Sequence, residues 1–176
     1  MWLISLLFLP LSSALFTIPY GIQHNSVKED DLKSECSLCY EDPFDKETFP
    51  THILSCAGPV LFVGARKNQG WWWWETKTMY LGAFALASEV HQTTALNKPH
   101  LSNGVYWYFT PGKSFGFLKD DTLEQATADI GTTNPEARLS WNLSKYGGYR
   151  SGYQIVSGWP AGTYRKRIYN CPLMII

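Results

Sequence analysis

Val105-Tyr106-Trp107-Tyr108-Phe109-Thr110 is the stretch of sequence that decides the fold. Its β-branched and aromatic side chains favour an extended strand. Pro111-Gly112 follows as a turn signal, and Ser114–Leu118 is a second short run that we expect to pair with the first as a hairpin. The centre of the chain therefore predicts an antiparallel β-sheet.

Short runs on both sides of this hairpin predict further strands. Val60–Ala65 is apolar and β-branched, Arg138–Leu143 alternates between apolar and polar residues, and Tyr164–Tyr169 lies near the C-terminus. Short strands separated by turns, with little helix, are typical of an antiparallel sandwich. We therefore predict an all-β or β-rich α+β fold, an antiparallel β-sandwich with one or two short helices. The helix candidate is Thr122–Ile130.

The composition excludes several classes of protein. Nine Phe, eight Trp and ten Tyr make up 15% of the 176 residues, whereas 17% are charged and the net charge is zero. Sequence-independent nucleic-acid binding depends on neutralising phosphates, so a neutral chain without a basic patch is not expected to bind nucleic acid. An aromatic content this high also argues against disorder. The chain should form a single folded domain.

The first 14 residues have the pattern of a signal peptide. The run from Trp2 to Leu11 is apolar but too short to span a membrane, and the small residues Ser12-Ser13-Ala14 follow it. Later apolar stretches are shorter than the 18 residues of a spanning helix. We therefore predict a secreted, extracellular protein without a transmembrane segment.

Four cysteines follow this leader, namely Cys36, Cys39, Cys56 and Cys171. An even number in an oxidising compartment indicates two disulfides, for which three connectivities are possible. A bridge between Cys36 and Cys39 closes a strained loop of the kind found in redox sites. We therefore expect each of them to pair with Cys56 or Cys171. A four-cysteine zinc site would need a second C-x-x-C pair, which the chain lacks.

The chain changes character near residue 52. Residues 15–51 are polar and irregular, and their mixed charges at 28–35 predict at most one helical turn. We interpret residues 15–51 as a disulfide-tethered N-terminal arm and residues 52–176 as a single β-sandwich domain.

Trp71, Trp72, Trp73 and Trp74 form an unbroken run between polar flanks. Successive side chains on extended backbone point to opposite faces, so at most two of the four can enter one core. Exposed tryptophans stack on sugar rings, insert at membrane interfaces or anchor protein partners. The run is therefore our first candidate ligand-binding site, and burial as a satellite cluster under the loop is the alternative.

The strand at 105–110 is aromatic on both faces. One face must enter the core, so either Tyr106 and Tyr108 or Trp107 and Phe109 point outward. Outward aromatics on a sheet form a flat platform on which pyranose rings stack. We predict that Tyr106 and Tyr108 belong to the ligand-binding surface, with coverage by another loop as the alternative.

Asn142-Leu143-Ser144 is an acceptor sequence for N-glycosylation. The alternation of its strand places Asn142 opposite Leu139, Trp141 and Leu143. We therefore expect Asn142 to reach solvent and to carry a glycan.

Motifs for catalysis or metal binding are missing from the sequence. Asp120, Asp121, Glu124 and Asp129 lie close together, and two of them could act as a glycosidase acid and base or as calcium ligands. Their spacing matches neither pattern, so a solvated face is the expected role. The four histidines show no metal-ligand spacing. We predict no catalytic residue, no metal and no cofactor.

Arg165-Lys166-Arg167 lies within the last predicted strand. Alternation would place two of the three cations outward, and charged residues of this kind are common on the edge strands of sheets. We therefore expect Tyr164–Tyr169 to be an edge strand.

Several blocks of the sequence occur in the order seen in TLDc domains. They are Leu61-Phe62-Val63-Gly64-Ala65, the tryptophan run, Leu81–Leu86, Ser114-Phe115-Gly116-Phe117 with its acidic continuation, and Gly147-Gly148-Tyr149-Arg150. Over residues 56–170 the chain thus resembles this family, and the resemblance implies a β-sandwich flanked by short helices. TLDc domains are mostly intracellular, so the leader and the cysteines depart from their pattern. The resemblance implies no activity and no site residue.

Together these features predict a secreted, non-catalytic binding protein that uses exposed aromatics, with glycans as the expected partners. A membrane-interface or lipid-active protein that inserts the tryptophan run is the first alternative. A small secreted enzyme with acids near Asp120–Asp129 is the second.

Overall fold

The protein is described by a computed structural model over residues 18–67, 79–96, 99–119, 137–143, 150–152, 154–155 and 164–173. Within these ranges the chain forms two antiparallel sheets that pack together. The predicted β-sandwich is therefore confirmed.

The first sheet contains the hairpin from which the fold was predicted. Its six strands lie in the order β10-β9-β8-β7-β6-β5, so neighbours along the chain are neighbours in the sheet. Trp107 lies opposite Phe117, and Phe109 lies opposite Phe115, across the central pair. The strands are β5 (His100–Ser102), β6 (Val105–Thr110), β7 (Ser114–Leu118), β8 (Arg138–Asn142), β9 (Arg150–Gly152) and β10 (Gln154–Ile155).

The second sheet brings together residues from both ends of the chain. Its order is β1-β4-β3-β11-β2, so β11 separates β3 from β2. The sequence prediction of an edge position for this last strand is therefore wrong. The strands are β1 (Gln23–His24), β2 (Ser37–Pro43), β3 (Val60–Lys67), β4 (Leu81–Leu86) and β11 (Tyr164–Cys171).

Large apolar side chains from the two sheets meet in the centre of the sandwich. Val63 of the five-stranded sheet belongs to the same cluster as Trp107, Phe117, Leu139 and Trp141 of the six-stranded sheet, and all five are fully buried. Burial of one such side chain stabilises the fold by roughly 1.5–3 kcal/mol. The alternation in Arg138–Leu143 therefore identified the core face of β8 correctly.

The N-terminal segment is more ordered than an arm. Its strands β1 and β2 pair with β4 and β11, and it contains two helices, α1 (Glu29–Glu35) and α2 (Pro50–Leu54). The boundary that we predicted near residue 52 is therefore not an edge of the fold. The prediction of an irregular arm was wrong because a polar composition is compatible with amphipathic elements. Both β2 and α1 are such elements, and their packing partners lie far away in the sequence.

Residues 81–96 form a strand that continues directly into a helix. Strand β4 ends at Leu86 and α3 (Ala87–Leu96) begins at the next residue. The described ranges thus hold three helices where one or two were predicted, and the candidate helix Thr122–Ile130 lies outside them.

Two disulfides join the N-terminal segment to the rest of the fold. Cys36 pairs with Cys171 and Cys39 pairs with Cys56, closing separations of 135 and 17 residues. The expectation that Cys36 and Cys39 take different partners is confirmed. In the chain-entropy model, each bridge adds about 3–5 kcal/mol of stability.

A buried carboxylate holds α1 against the outer face of the five-stranded sheet. Glu29, the first residue of α1, pairs with Arg66 of β3 at 2.8 Å, with Lys33 at 2.6 Å and with Arg167 of β11. Burial alone raises the pKa of Glu29, but the Lys33 hydrogen bond and the charges of Arg167 and Arg66 outweigh it and lower the pKa overall. Glu29 is therefore kept ionised inside the fold.

Lys166, the residue before Arg167, points to the opposite face of β11 and is fully buried. Its ammonium group donates hydrogen bonds to Thr48 Oγ1 at 2.6 Å and to the backbone oxygen of Lys46. Burial lowers the pKa of Lys166 to about 8, although the carboxylates of Asp42, Asp45 and Glu47 act in the other direction.

Candidate functional site

The tryptophan run Trp71–Trp74 lies outside the described residues, but the points where it leaves and rejoins the sandwich are described. Strand β3 ends at Lys67 and β4 begins at Leu81. Because β3 and β4 are antiparallel neighbours, both points lie at the same end of the five-stranded sheet. Side chains at this end of the sheet are therefore the described neighbours of the segment that carries the tryptophans.

Aromatic rings in or directly beside four strands converge at this end of the sandwich. The ring of Tyr80 lies 5.0 Å from that of His24 and 5.8 Å from that of Tyr164, edge to face in both cases. Phe44 continues the cluster, with its ring 6.0 Å from Tyr164. Edge-to-face pairs at these separations are mutually attractive. We name His24, Phe44, Tyr80 and Tyr164 the aromatic end.

Exposure within the aromatic end increases from the core outward. Tyr164 is buried, and burial together with the nearby Tyr80 raises the pKa of its hydroxyl to about 12. Tyr80 is partly buried and His24 is exposed. The cluster thus offers a supported ring, Tyr80, and an exposed ring, His24.

A glycine on the opposite sheet fixes the position of Tyr80. Gly152 of β9 has φ +64, and a Cβ atom placed there would lie 2.9 Å from Cε1 of Tyr80. Any larger residue at 152 would therefore push the Tyr80 ring away. The two sheets touch at this point only because position 152 has no side chain.

Polar and cationic groups accompany the rings. Asn25 Nδ2 lies 3.3 Å from His24 Nδ1, and both residues are exposed. The ammonium group of Lys67 lies 5.9 Å from the centre of the Tyr164 ring, within cation–π range. Aromatic rings accompanied by a few polar groups are typical of small-molecule binding sites.

The structure separates the two tyrosines predicted on β6. Tyr106 is partly exposed, whereas Tyr108 is buried and its hydroxyl donates a hydrogen bond of 3.2 Å to the backbone oxygen of Leu139. The prediction of an exposed Tyr108 is therefore wrong. Its side chain extends across Gly116, whose missing Cβ leaves space for the hydroxyl.

Asn142 is the second correction, because its side chain is fully buried. It does lie opposite Leu139 and Trp141, as the alternation predicted, but this outer face of the six-stranded sheet is itself covered. Ser114, Arg138, Ser140 and Arg150 on the same face are also buried. A glycan on Asn142 is incompatible with this packing, so the predicted exposure of the acceptor is wrong.

The predictions about the acidic cluster, a metal site and a membrane span concern regions that the structure describes only in part. The acids Asp120, Asp121, Glu124 and Asp129 lie outside the described residues. Within the described part of the chain, no three His, Cys, Asp or Glu side chains come together as a metal site. The helices found there are also too short or too polar to cross a membrane.

Sequence reasoning missed His24 and Tyr80 as candidate site residues. Neither belongs to a motif, and they are 56 positions apart in the sequence. Their proximity results from the pairing of β1 with β4, which places His24 opposite Leu81. A two-residue strand has too little pattern to be found from sequence, so this contact was not predictable.

The chain matches no protein-family model, no curated protein and no solved structure. The resemblance to TLDc domains remains a prediction.

Proposed function

We propose that this protein is a secreted, non-catalytic carbohydrate-binding protein whose ligand contacts Trp71–Trp74 and the aromatic end. One observation carries the proposal. The tryptophan run leaves and rejoins the sandwich beside a supported cluster of rings of which Tyr80 and His24 are accessible. Further aromatics at the base of this segment extend the surface on which sugar rings can stack.

The surroundings of the rings favour a sugar over a lipid interface. Pyranose rings present C–H groups to an aromatic face and hydroxyl groups at their edge. The exposed His24 and Asn25 can exchange hydrogen bonds with such hydroxyls. Insertion into a membrane would instead bury these polar groups away from water, which is unfavourable.

The disulfides support a location outside the reducing compartments. Cys36–Cys171 and Cys39–Cys56 account for all four cysteines. Such bridges form and persist in oxidising environments. Together with the leader-like residues 1–14, they support secretion.

A glycan array probed with the secreted protein tests this function. We expect binding to at least one neutral oligosaccharide, and we expect Trp72→Ala/Trp73→Ala and Tyr80→Leu each to weaken that binding by tenfold or more. The matched control is Phe49→Ala, which removes an aromatic that is 50% exposed at the start of α2. It should leave binding unchanged.

Two results would overturn the proposal. One is the absence of binding to every glycan on the array by a protein shown to be folded and disulfide-bonded. The other is co-sedimentation with phosphatidylcholine liposomes that is lost in Trp72→Ala/Trp73→Ala, which would support the membrane-interface alternative.

A further inference from the structure

Tyr20 is the most exposed of the large hydrophobic side chains in the described part of the chain, at 77%. It lies beside the tight turn between β5 and β6, formed by Asn103 and Gly104. Both turn residues have positive φ, +48 and +75, as expected for an Asn-Gly hairpin turn. We name Tyr20, Asn103 and Gly104 the turn platform.

One face of the Tyr20 ring rests on Gly104. A Cβ atom at position 104 would lie 2.3 Å from Cζ, 2.5 Å from Cε1 and 2.8 Å from Cε2 of Tyr20. Three ring atoms at nearly equal distances mean that the ring covers the glycine with its face and not with its edge. Because the residue is otherwise exposed, the opposite face of the ring is open to solvent.

The backbone around Tyr20 is fixed on both sides. Asn103 Nδ2 donates to the backbone oxygen of Pro19 at 2.8 Å, and the Gly21 N–H donates to the backbone oxygen of Asn103 at 2.9 Å. Gln23 Nε2 donates to the backbone oxygen of Tyr20 at 2.9 Å. An exposed ring held in this way loses little conformational freedom when a ligand stacks on it.

The turn platform is free of formal charge. Residues 18–26 and 99–110, which build it, contain none of the thirty Lys, Arg, Asp and Glu residues of the chain. These segments themselves supply no Lys or Arg to pair with sulfated, sialylated or phosphorylated ligands. The chemistry of the turn platform therefore suits an uncharged ligand.

The same hairpin carries additional apolar surface. Leu101 is 54% exposed and pairs directly with the partly exposed Tyr106. Tyr106 lies two residues beyond Gly104. This pair extends the apolar surface of the hairpin beyond the ring of Tyr20 itself.

We propose that the turn platform is a second binding site for a neutral pyranose ring, which stacks on the open face of Tyr20. This site would deepen the carbohydrate-binding function proposed above and rests on it. Strand β1 joins the turn platform to the aromatic end, because Tyr20 and His24 are four residues apart on the same segment. A single oligosaccharide could therefore contact both sites.

The test follows the ring signals of Tyr20 by NMR in protein with isotope-labelled tyrosine, titrated with cellotetraose, mannotetraose and chitotetraose. The Tyr20 signal is identified by its loss in Tyr20→Phe. We expect it to shift with one of these neutral sugars. Tyr20→Ala should weaken the binding by about tenfold, which corresponds to about 1.4 kcal/mol, and Tyr20→Phe should retain it.

A pair of glycine substitutions provides the matched control. Gly104→Ala places a methyl group against the Tyr20 ring, whereas nothing lies within 4 Å of the Cβ position at Gly112, a turn glycine of similar φ, +67. Both substitutions strain the backbone in the same way. Only Gly104→Ala should weaken sugar binding.

The possible outcomes separate the two proposals. If Trp72→Ala/Trp73→Ala abolishes binding but the Tyr20 signal does not shift in the wild type, the turn platform is overturned and the proposed function stands. If the Tyr20 signal shifts and the tryptophan variant still binds, the turn platform stands and the aromatic end is overturned. Equal effects of Gly104→Ala and Gly112→Ala would also overturn the turn platform.

Discussion

Lys166 and Arg167 are adjacent cations on one central strand, and they are buried in opposite ways. Arg167 lies on the outer face of the five-stranded sheet, where it bonds to Glu29 and, at 2.7 Å, to Glu41. Lys166 lies on the other face, where its described hydrogen bonds go to the uncharged oxygens of Thr48 and Lys46. Arg167 is therefore paired directly with carboxylates, whereas Lys166 is hydrogen-bonded to neutral oxygens and feels Asp42, Asp45 and Glu47 only as nearby charges.

This difference shows what burial does to a charge. Direct ion pairs with Glu29 and Glu41 keep Arg167 charged inside the fold. Lys166 lacks such a direct pair among the described residues, and burial lowers its pKa to about 8. Removing a carboxylate partner of Arg167 should therefore lower the stability of the fold. The contribution of Lys166 to that stability should instead depend on pH.

The largest expected effect comes from removing the shared carboxylate. Glu29→Gln removes the carboxylate that Arg66 and Arg167 share, and the loss of one partner from a buried ion pair typically destabilises a protein by about 3–5 kcal/mol. We expect the free energy of unfolding, measured by guanidinium denaturation with the disulfides intact, to fall by this amount.

Acid pH supplies the control for this variant. Because the pKa of Glu29 is lowered in the folded state, its contribution is fully present above the unfolded pKa, near 4.5, and is lost as the pH falls through the folded pKa. The wild type should therefore lose more stability on acidification than Glu29→Gln does. Parallel acid curves would show that Glu29 contributes nothing through its charge.

The second effect is a gain of stability at alkaline pH. The unfolded state binds a proton on Lys166 up to about pH 10.5, whereas the folded state releases it near pH 8. The free energy of unfolding should therefore rise by about 2 kcal/mol between pH 7 and pH 9.5 through this residue. Above pH 10 the gain ends, because the pKa values of Tyr40 and Tyr164 are raised to about 12 and ionised tyrosine favours the unfolded state.

Lys166→Met isolates this contribution, since it keeps the length of the side chain and removes the titrating group. Denaturation curves at pH 7, 8, 9 and 9.5 should show no alkaline gain in the variant. An equal gain in wild type and variant would mean that another group is responsible.

The smallest expected effect comes from Glu41, the more exposed of the two carboxylates that pair with Arg167. Glu41 is one-third exposed, and pairs of this kind contribute about 0.2–1 kcal/mol and weaken with salt. Glu41→Gln should therefore lower the free energy of unfolding by less than 1 kcal/mol, and the difference should shrink between 0.05 and 1 M NaCl. A loss as large as that of Glu29→Gln would mean that both carboxylates are equally necessary.

Local pattern predicted the elements of the six-stranded sheet well. The bounds of β6 and β7 coincide with the predicted runs, and the core face of β8 was correct. Strands that are consecutive in the sequence are neighbours in this sheet. Turn signals and alternation in the sequence are therefore enough to predict most of its strands. The position of β11 was not predictable, because it depends on pairing with β2 and β3, more than 90 residues away in sequence.

Alternation also did not reveal which outward faces are covered. It placed Asn142 and Tyr108 opposite the core residues of β8 and β6, but both are buried. A period of two identifies two faces and does not say whether a second layer covers the outer one. Tyr106 and Trp71–Trp74 stay predictions as site residues, whereas Tyr20, His24 and Tyr80 emerge only from tertiary contacts that the sequence does not reveal.

The central position of β11 also determines when the protein can fold during its synthesis. The ribosome makes β1, β2, β3 and β4 first, but β2 joins this sheet only through β11. The six-stranded sheet can form from sequential hairpins as the chain emerges, whereas β2 can join the five-stranded sheet only after β11 has been made. Until then Cys36 lacks its native partner, so closure of the Cys36–Cys171 bridge should report the docking of β11 between β3 and β2.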